Sequence, residues 1–191
     1  MGVKEKMIEI LRSDEASRIN FSFRGSSGAT ISVSGSSFRR VATALANGSI
    51  NVVEGRFTTD IAMYSSRADS ATNAAANTFY LGANPRYSRL FNALIVHESV
   101  HASFDLTSTS IPWLDNEAAA YIAQAYYARN SGLPRTAFEY GSQAIIAYSI
   151  VQNMRANSAS DVDFFLSALR DSLNGDPQYH GYIRGTFTGD G

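Results

Sequence analysis

Five consecutive residues, His97-Glu98-Ser99-Val100-His101, carry the densest chemistry in the chain. On a helix, residues four apart share a face with Cβ atoms about 5–6 Å apart, so the two imidazoles can reach one ion. Zinc takes N and O donors at about 2.0–2.2 Å in a tetrahedron, and a catalytic site keeps its fourth position for water. Glu98 follows the first histidine by one residue, which sets its carboxylate beside the ion, where it takes a proton from that water instead of binding the metal. Leu90, Leu94, Ile95, Val96 and Val100 surround the motif with apolar residues and predict a buried location. Unpaired imidazoles there would be costly to desolvate, and metal ligation removes that cost.

Two histidines leave a catalytic zinc site one protein donor short. Asp105 follows His101 by four on roughly the same face, but a third donor from one straight helix is displaced along the axis and closes a tetrahedron poorly. Glu117 is better placed, because Pro112 breaks the helical run and lets the next helix turn back antiparallel with one inward side chain. Ala118, Ala119 and Ala120 give that helix a small face for close approach. His180, the remaining imidazole of three, is the weaker alternative.

The segment from His97 to Asp105, followed by Asn116-Glu117-Ala118, resembles the gluzincin metallopeptidases, the thermolysin-like class in which one helix gives two His and a second gives a Glu. The likeness includes Ala102 directly after the second His, Asp105 four beyond that His, and the Asn-Glu-Ala around the third ligand. It implies a Zn2+ cofactor held by His97, His101 and Glu117, a general base at Glu98, a supporting contact from Asn116, and a peptide or protein substrate. It also implies a zincin-like fold in which the strand before the metal helix forms the sheet edge and pairs with an extended substrate. Asn77 to Gly82 occupies that place in the order of elements, with an ordinary internal strand as the competing reading. Downstream, the resemblance suggests a Tyr or His that stabilises the oxyanion, and His180 and Tyr182 are the choices from the Tyr179, His180, Tyr182 and Arg184 cluster. The family often has an Asp four residues after the ligand Glu to orient a ligand His. Here that position is Tyr121, which leaves Asp105 or Asp115 for the task.

The elements that must position these groups follow from periodicity. The first half alternates strand and helix signals and the second is nearly all helical. This division predicts an α+β domain with an N-terminal mixed or antiparallel twisted sheet, an active-site helix and a C-terminal helical half. Lys4 to Leu11 predicts a short helix, and Phe21 and Phe23, then Ile31 and Val33, alternate around a Gly25 to Gly28 turn as a hairpin. Ser36 and Ser37 suit the cap of a helix ending at Asn47-Gly48. Strands are expected over Ile50 to Glu54, Phe57 to Tyr64 and Thr78 to Leu81, with loop between Ser65 and Ala76. Pro85 introduces the metal helix through Leu106, and the second helix runs from Leu114 to Asn130. Helices over 136–156 and 162–173, the latter capped by Asp161, precede a tail from Gly175 without periodicity.

Composition narrows the function classes. A chain of 191 residues with 45% apolar content can bury one sizeable core, so one domain spanning 1–191 is expected, working as a monomer. A net charge of -1 without a dense basic block argues against nucleic-acid or membrane-surface partners. The absence of cysteine excludes disulfides, thiolate metal sites and a cysteine nucleophile. Met1 to Leu11 does not read as a signal peptide, and the most apolar stretch, Ala144 to Val151, is far short of the ~20 residues of a membrane span. The compartment is therefore open between cytoplasmic and secreted. The leading expectation is a zinc metallopeptidase. Its alternatives are a zinc amidase acting on cell-wall peptides or another amide, and a non-catalytic module in which zinc ties two helices together.

Overall fold

Alternation at Phe21, Phe23, Ile31 and Val33 buries one face of a hairpin, β1 (Asn20–Arg24) and antiparallel β2 (Thr30–Ser34), which follows α1 (Val3–Leu11) and the short α2 (Asp14–Ser17). The computed structural model describes residues 2–58, 60–83, 85–138 and 142–191. The hairpin turn closes through Gly28, whose φ of +85° suits glycine. Next comes α3 (Gly35–Asn47), with Phe38, Val41, Ala42 and Leu45 buried and Gly48 in the left-handed conformation at its end. The cap lies two residues before the expected serines. Ser34 precedes the helix and donates its N–H to Ser37 Oγ at 3.3 Å, and the first helical residue is Gly35, where a side chain would collide with the Ser17 carbonyl oxygen.

Three strands form the largest sheet, in the order β3 (Asn51–Phe57), β5 (Thr78–Gly82) and β4 (Ala62–Ser65). Strand β3 runs parallel to β5 and β4 antiparallel to it, so the sheet is mixed. The expected strand over residues 57–64 divides differently: β3 continues to Phe57 through an irregularity after Glu54, and β4 begins only at Ala62. Thr59 lies outside the described residues. Of the two readings of Asn77 to Gly82, sheet edge or internal strand, the internal one holds: β5 is the central strand, with all five of its residues buried. The edge beside the metal helix is β4.

The second half is helical, as expected. Helix α4 (Arg89–Asp105) starts four residues after Pro85, where Ser88 Oγ accepts from the Phe91 N–H at 3.1 Å. A short strand β6 (Ser110–Pro112) leads into α5 (Trp113–Asn130), and α6 (Ser142–Arg155) and α7 (Ala159–Gly175) pack behind it. The expected helix over 136–156 is a 3-10 turn at Arg135–Phe138 followed by α6, and 139–141 lie outside the described residues. Asp161 sits inside the first turn of α7, with Ser158 at the cap position. The tail contains a 3-10 turn, Pro177–Tyr179, and a strand β7 (Thr186–Thr188) paired antiparallel with β6.

Helices α4 and α5 meet closely because Ala118, Ala119, Ala120 and Ala123 are all fully buried between flanking Ile95, Val96 and Ile122. Each of the larger side chains contributes about 1.5–3 kcal/mol on burial. The architecture is α+β with small mixed and antiparallel sheets. Among the described residues no helix is long and apolar enough to cross a membrane.

Candidate metal centre

Helical spacing brings His97 and His101 to one side of α4, with ring centroids 5.2 Å apart. Across from them, α5 presents Glu117. His97 Nε2 is 3.5 Å from Glu117 Oε2, and His101 Nε2 is 3.8 Å from Glu117 Oε1. All three residues are almost completely buried, at 4%, 6% and 4% exposure. Donors about 2.0–2.1 Å from a tetrahedral ion are about 3.3–3.4 Å apart, so this triangle is close to what zinc requires.

The far sides of the rings decide which nitrogens are free. His97 Nδ1 is 3.1 Å from Gln124 Oε1, and His101 Nδ1 is 2.9 Å from Asn116 Oδ1. An amide oxygen only accepts, so each Nδ1 carries a proton, and in the neutral form of each ring the Nε2 lone pair is directed at Glu117. The space between Nε2 and the carboxylate is then filled by a positive charge, either a proton on the ring or a cation bound by both groups. The donor set therefore fits a divalent metal ion of the zinc type. The pairing of the later His101 with the earlier Asn116, and of the earlier His97 with the later Gln124, shows that α4 and α5 run antiparallel.

Asn116 makes its expected contact with a histidine. Asp105 and Asp115, the candidates for orienting the other ring, are engaged elsewhere. Asp105 accepts from the Tyr64 hydroxyl at 2.6 Å and the Asp190 N–H at 3.1 Å. Asp115, fully buried, accepts from the Ser26 N–H at 2.8 Å, the Ser26 hydroxyl at 2.7 Å and Arg170 at 2.7 Å. Tyr121 packs its ring edge-on to His97 at 4.7 Å.

Glu98 also lies beside the imidazoles: His97, Glu98 and His101 offer donor atoms all within 4.8 Å of one another. Its Oε2 accepts the Tyr64 N–H of β4 at 2.8 Å. Burial pushes the Glu98 carboxyl up to about 7, with the Glu117 charge adding to the rise and His101 and the Tyr64 N–H opposing it. Burial also works to raise Glu117, but His101, His97 and the Tyr182 hydroxyl together hold it below the ordinary carboxylate value. The two carboxylates are thus driven apart, one toward proton exchange near neutrality and one toward permanent charge.

A cleft of 430 Å³ opens over these groups, walled by β4 on one side and the tail on the other. Tyr182 lines it and donates from its hydroxyl to Glu117 Oε1 at 3.2 Å. Burial and the Glu117 charge raise the Tyr182 hydroxyl far above its ordinary value, so it stays a donor. His180 is exposed and is not among the residues lining the cleft: the 3-10 turn sends Tyr179 inward, to a 2.6 Å hydrogen bond with Tyr121. Trp113 stands between Tyr182 and Phe187, with centroids 4.7 Å and 5.0 Å away, and completes an aromatic wall near His101.

Three contributors were not singled out from the sequence. Trp113 had a signal, as the only tryptophan and the first residue of the Glu117 helix. Gln124 lies seven residues after Glu117, two turns along the same face, a spacing that could have marked it. Tyr64 acts through its backbone, which side-chain chemistry does not reveal. Comparison with protein-family models, curated proteins and solved structures finds no match for the chain.

Proposed function

We propose that this protein is a zinc-dependent metallopeptidase that hydrolyses peptide bonds, with a zincin-like arrangement of helix pair and sheet edge. The observation that carries this reading is the buried triangle of His97, His101 and Glu117, with both Nδ1 atoms held by amides and the Glu98 carboxylate beside it in an open cleft. His97, His101 and Glu117 would hold the ion, which when bound polarises a carbonyl and makes water more acidic. Glu98 takes a proton from the attacking water and passes it to the leaving amine. Tyr64 fixes that carboxylate through its N–H. Tyr182, at the cleft wall with its proton retained, donates to the oxygen of the scissile carbonyl.

Substrate would lie along β4. In the antiparallel register, Met63 and Ser65 turn their main-chain groups to β5, so those of Ala62 and the Tyr64 carbonyl face the cleft. An extended peptide can pair there, and Trp113, Phe187 and Ile61 offer apolar contact to its side chains.

A second reading draws on the reach of Glu98 to both imidazoles: as a fourth protein donor it would close the centre and leave a structural zinc in a binding module. Glu98→Gln separates the two. The peptidase reading expects full metal stoichiometry and a loss of casein-type cleavage by about 10²–10⁴-fold. Undiminished cleavage overturns it, and loss of the metal with the substitution favours the structural centre.

A further inference from the structure

We infer that Gln124 is a positioning residue of the metal centre, selecting the His97 tautomer and aiming its Nε2 into the donor triangle. The inference rests on the metal-binding half of the reading above and is independent of whether a peptide is cleaved.

The geometry has three parts. Gln124 Oε1 stands 3.1 Å from His97 Nδ1, so the ring proton is held on the side away from Glu117. The Tyr121 ring packs against the imidazole at 85° and 4.7 Å without offering it a hydrogen bond, so the Gln124 contact decides which nitrogen faces which way. Nε2 is then directed at Glu117 Oε2, 3.5 Å away. No other partner for His97 Nδ1 occurs among the described hydrogen bonds, so the orientation depends on one amide.

The chemistry of that amide matters as much as its position. A carboxylate behind a ligating imidazole draws the Nδ1 proton toward itself and makes Nε2 a stronger donor. Here both rings are backed by neutral amides, Gln124 behind His97 and Asn116 behind His101. Glu117 is left as the one anion of the donor triangle. A bound ion would keep more of its positive charge, which weakens its retention and strengthens its action on water and carbonyl oxygen. Metal affinity should therefore be adjustable in both directions at position 124, a behaviour that a packing role would not give.

The test is metal affinity of the full chain, measured by competition with a chromophoric chelator using Zn2+ and Co2+, for wild type, Gln124→Met and Gln124→Glu. Gln124→Met keeps the side-chain volume and removes the acceptor. It is expected to weaken binding by about 10–100-fold, with the metal-free protein still melting cooperatively. Gln124→Glu is expected to bind more tightly than wild type. Equal affinities across the three proteins, weakening by both substitutions, or a wild type that binds no metal would each overturn the inference. A wild type that binds metal, responds as expected and cleaves no peptide would sink the peptidase reading alone.

Discussion

The hydroxyl of Tyr64 donates to the carboxylate of Asp105 at 2.6 Å, while the same residue gives its backbone N–H to Glu98 at 2.8 Å. Glu98 and Asp105 are seven residues apart on one face of α4, so a single residue of β4 holds the sheet edge against the helix at two points. The cleft width and the direction of the Glu98 carboxylate are set together.

Tyr64→Phe removes one of those points and leaves Asp105 buried with a single hydrogen-bond partner among the described residues, the Asp190 N–H. A hydrogen bond to a buried charged group contributes about 1.5–3 kcal/mol. Urea denaturation should show a loss in that range. Amide exchange should accelerate at position 64 more than at Met63 and Ser65, which pair with β5. Equal acceleration at all three would mean that the whole strand has loosened and that the clamp does not act locally.

Arg170→Ala breaks the ion pair that joins α7 to the first turn of α5. Asp115 is fully buried and keeps only its Ser26 contacts once the guanidinium is gone. Removing one partner of such a pair costs about 3–5 kcal/mol, and the partly exposed Arg170 places this case at the lower end. Adding Asp115→Asn should recover part of the loss, because the uncompensated charge disappears. Chemical denaturation of the single and double variants measures both effects, and a destabilisation under about 1 kcal/mol for the single variant would contradict the assignment.

Gly189→Ala reports on the tail. A Cβ there would lie 2.6 Å from Asp105 Cα and 2.8 Å from the Phe104 and Asp105 carbonyl oxygens, all of them backbone atoms that cannot swing aside. The tail must lift, which breaks the Asp190 to Asp105 hydrogen bond and disturbs the wall formed by Tyr182 and Phe187. A cost of about 1–3 kcal/mol is expected and, under the proposed peptidase function, a rise in KM, which a smaller folded fraction alone would not cause. Steady-state kinetics beside thermal melts tests this, and unchanged KM would separate the tail anchor from the cleft.

Chelation should lower stability without unfolding the chain, because α4 and α5 are also held together by the apolar contacts of Ile95, Val96, Ala118, Ala119 and Ile122, which need no ion. At free zinc 100 times the dissociation constant, binding adds about 2.7 kcal/mol, equivalent to about 5–11 °C in melting temperature for a domain of this size. Identical melts with zinc and with chelator would argue that no ion is bound at these residues.

How far the sequence reached depends on whether a feature is local. His97, Glu98 and His101 were legible because helical spacing alone puts them together, and Glu117 because Pro112 marks where the chain turns back. The hairpin at Phe21 to Val33 and the Gly48 stop follow from alternation and turn chemistry in the same way. Gln124 was not legible, since its choice depends on the register between two antiparallel helices. Nor was the edge role of β4: the connection from 66 to 77 does not encode which side of β5 the strand returns on, and Asn77 to Gly82, open between edge and internal strand, proved central. Asp105 and Asp115 looked alike as carboxylates near the motif, and only the fold commits one to Tyr64 and the other to Ser26 and Arg170.

The side chains that grip and orient the proposed ion all fall within residues 97–124, whereas one wall of the cleft comes from residues 178–187. On the ribosome, the 58 residues from Gln124 to Tyr182 take about 3–12 s to add at 5–20 residues per second. A growing chain thus carries its complete set of donors before Tyr182 exists to cover them, and loading need not wait for a route through the finished mouth.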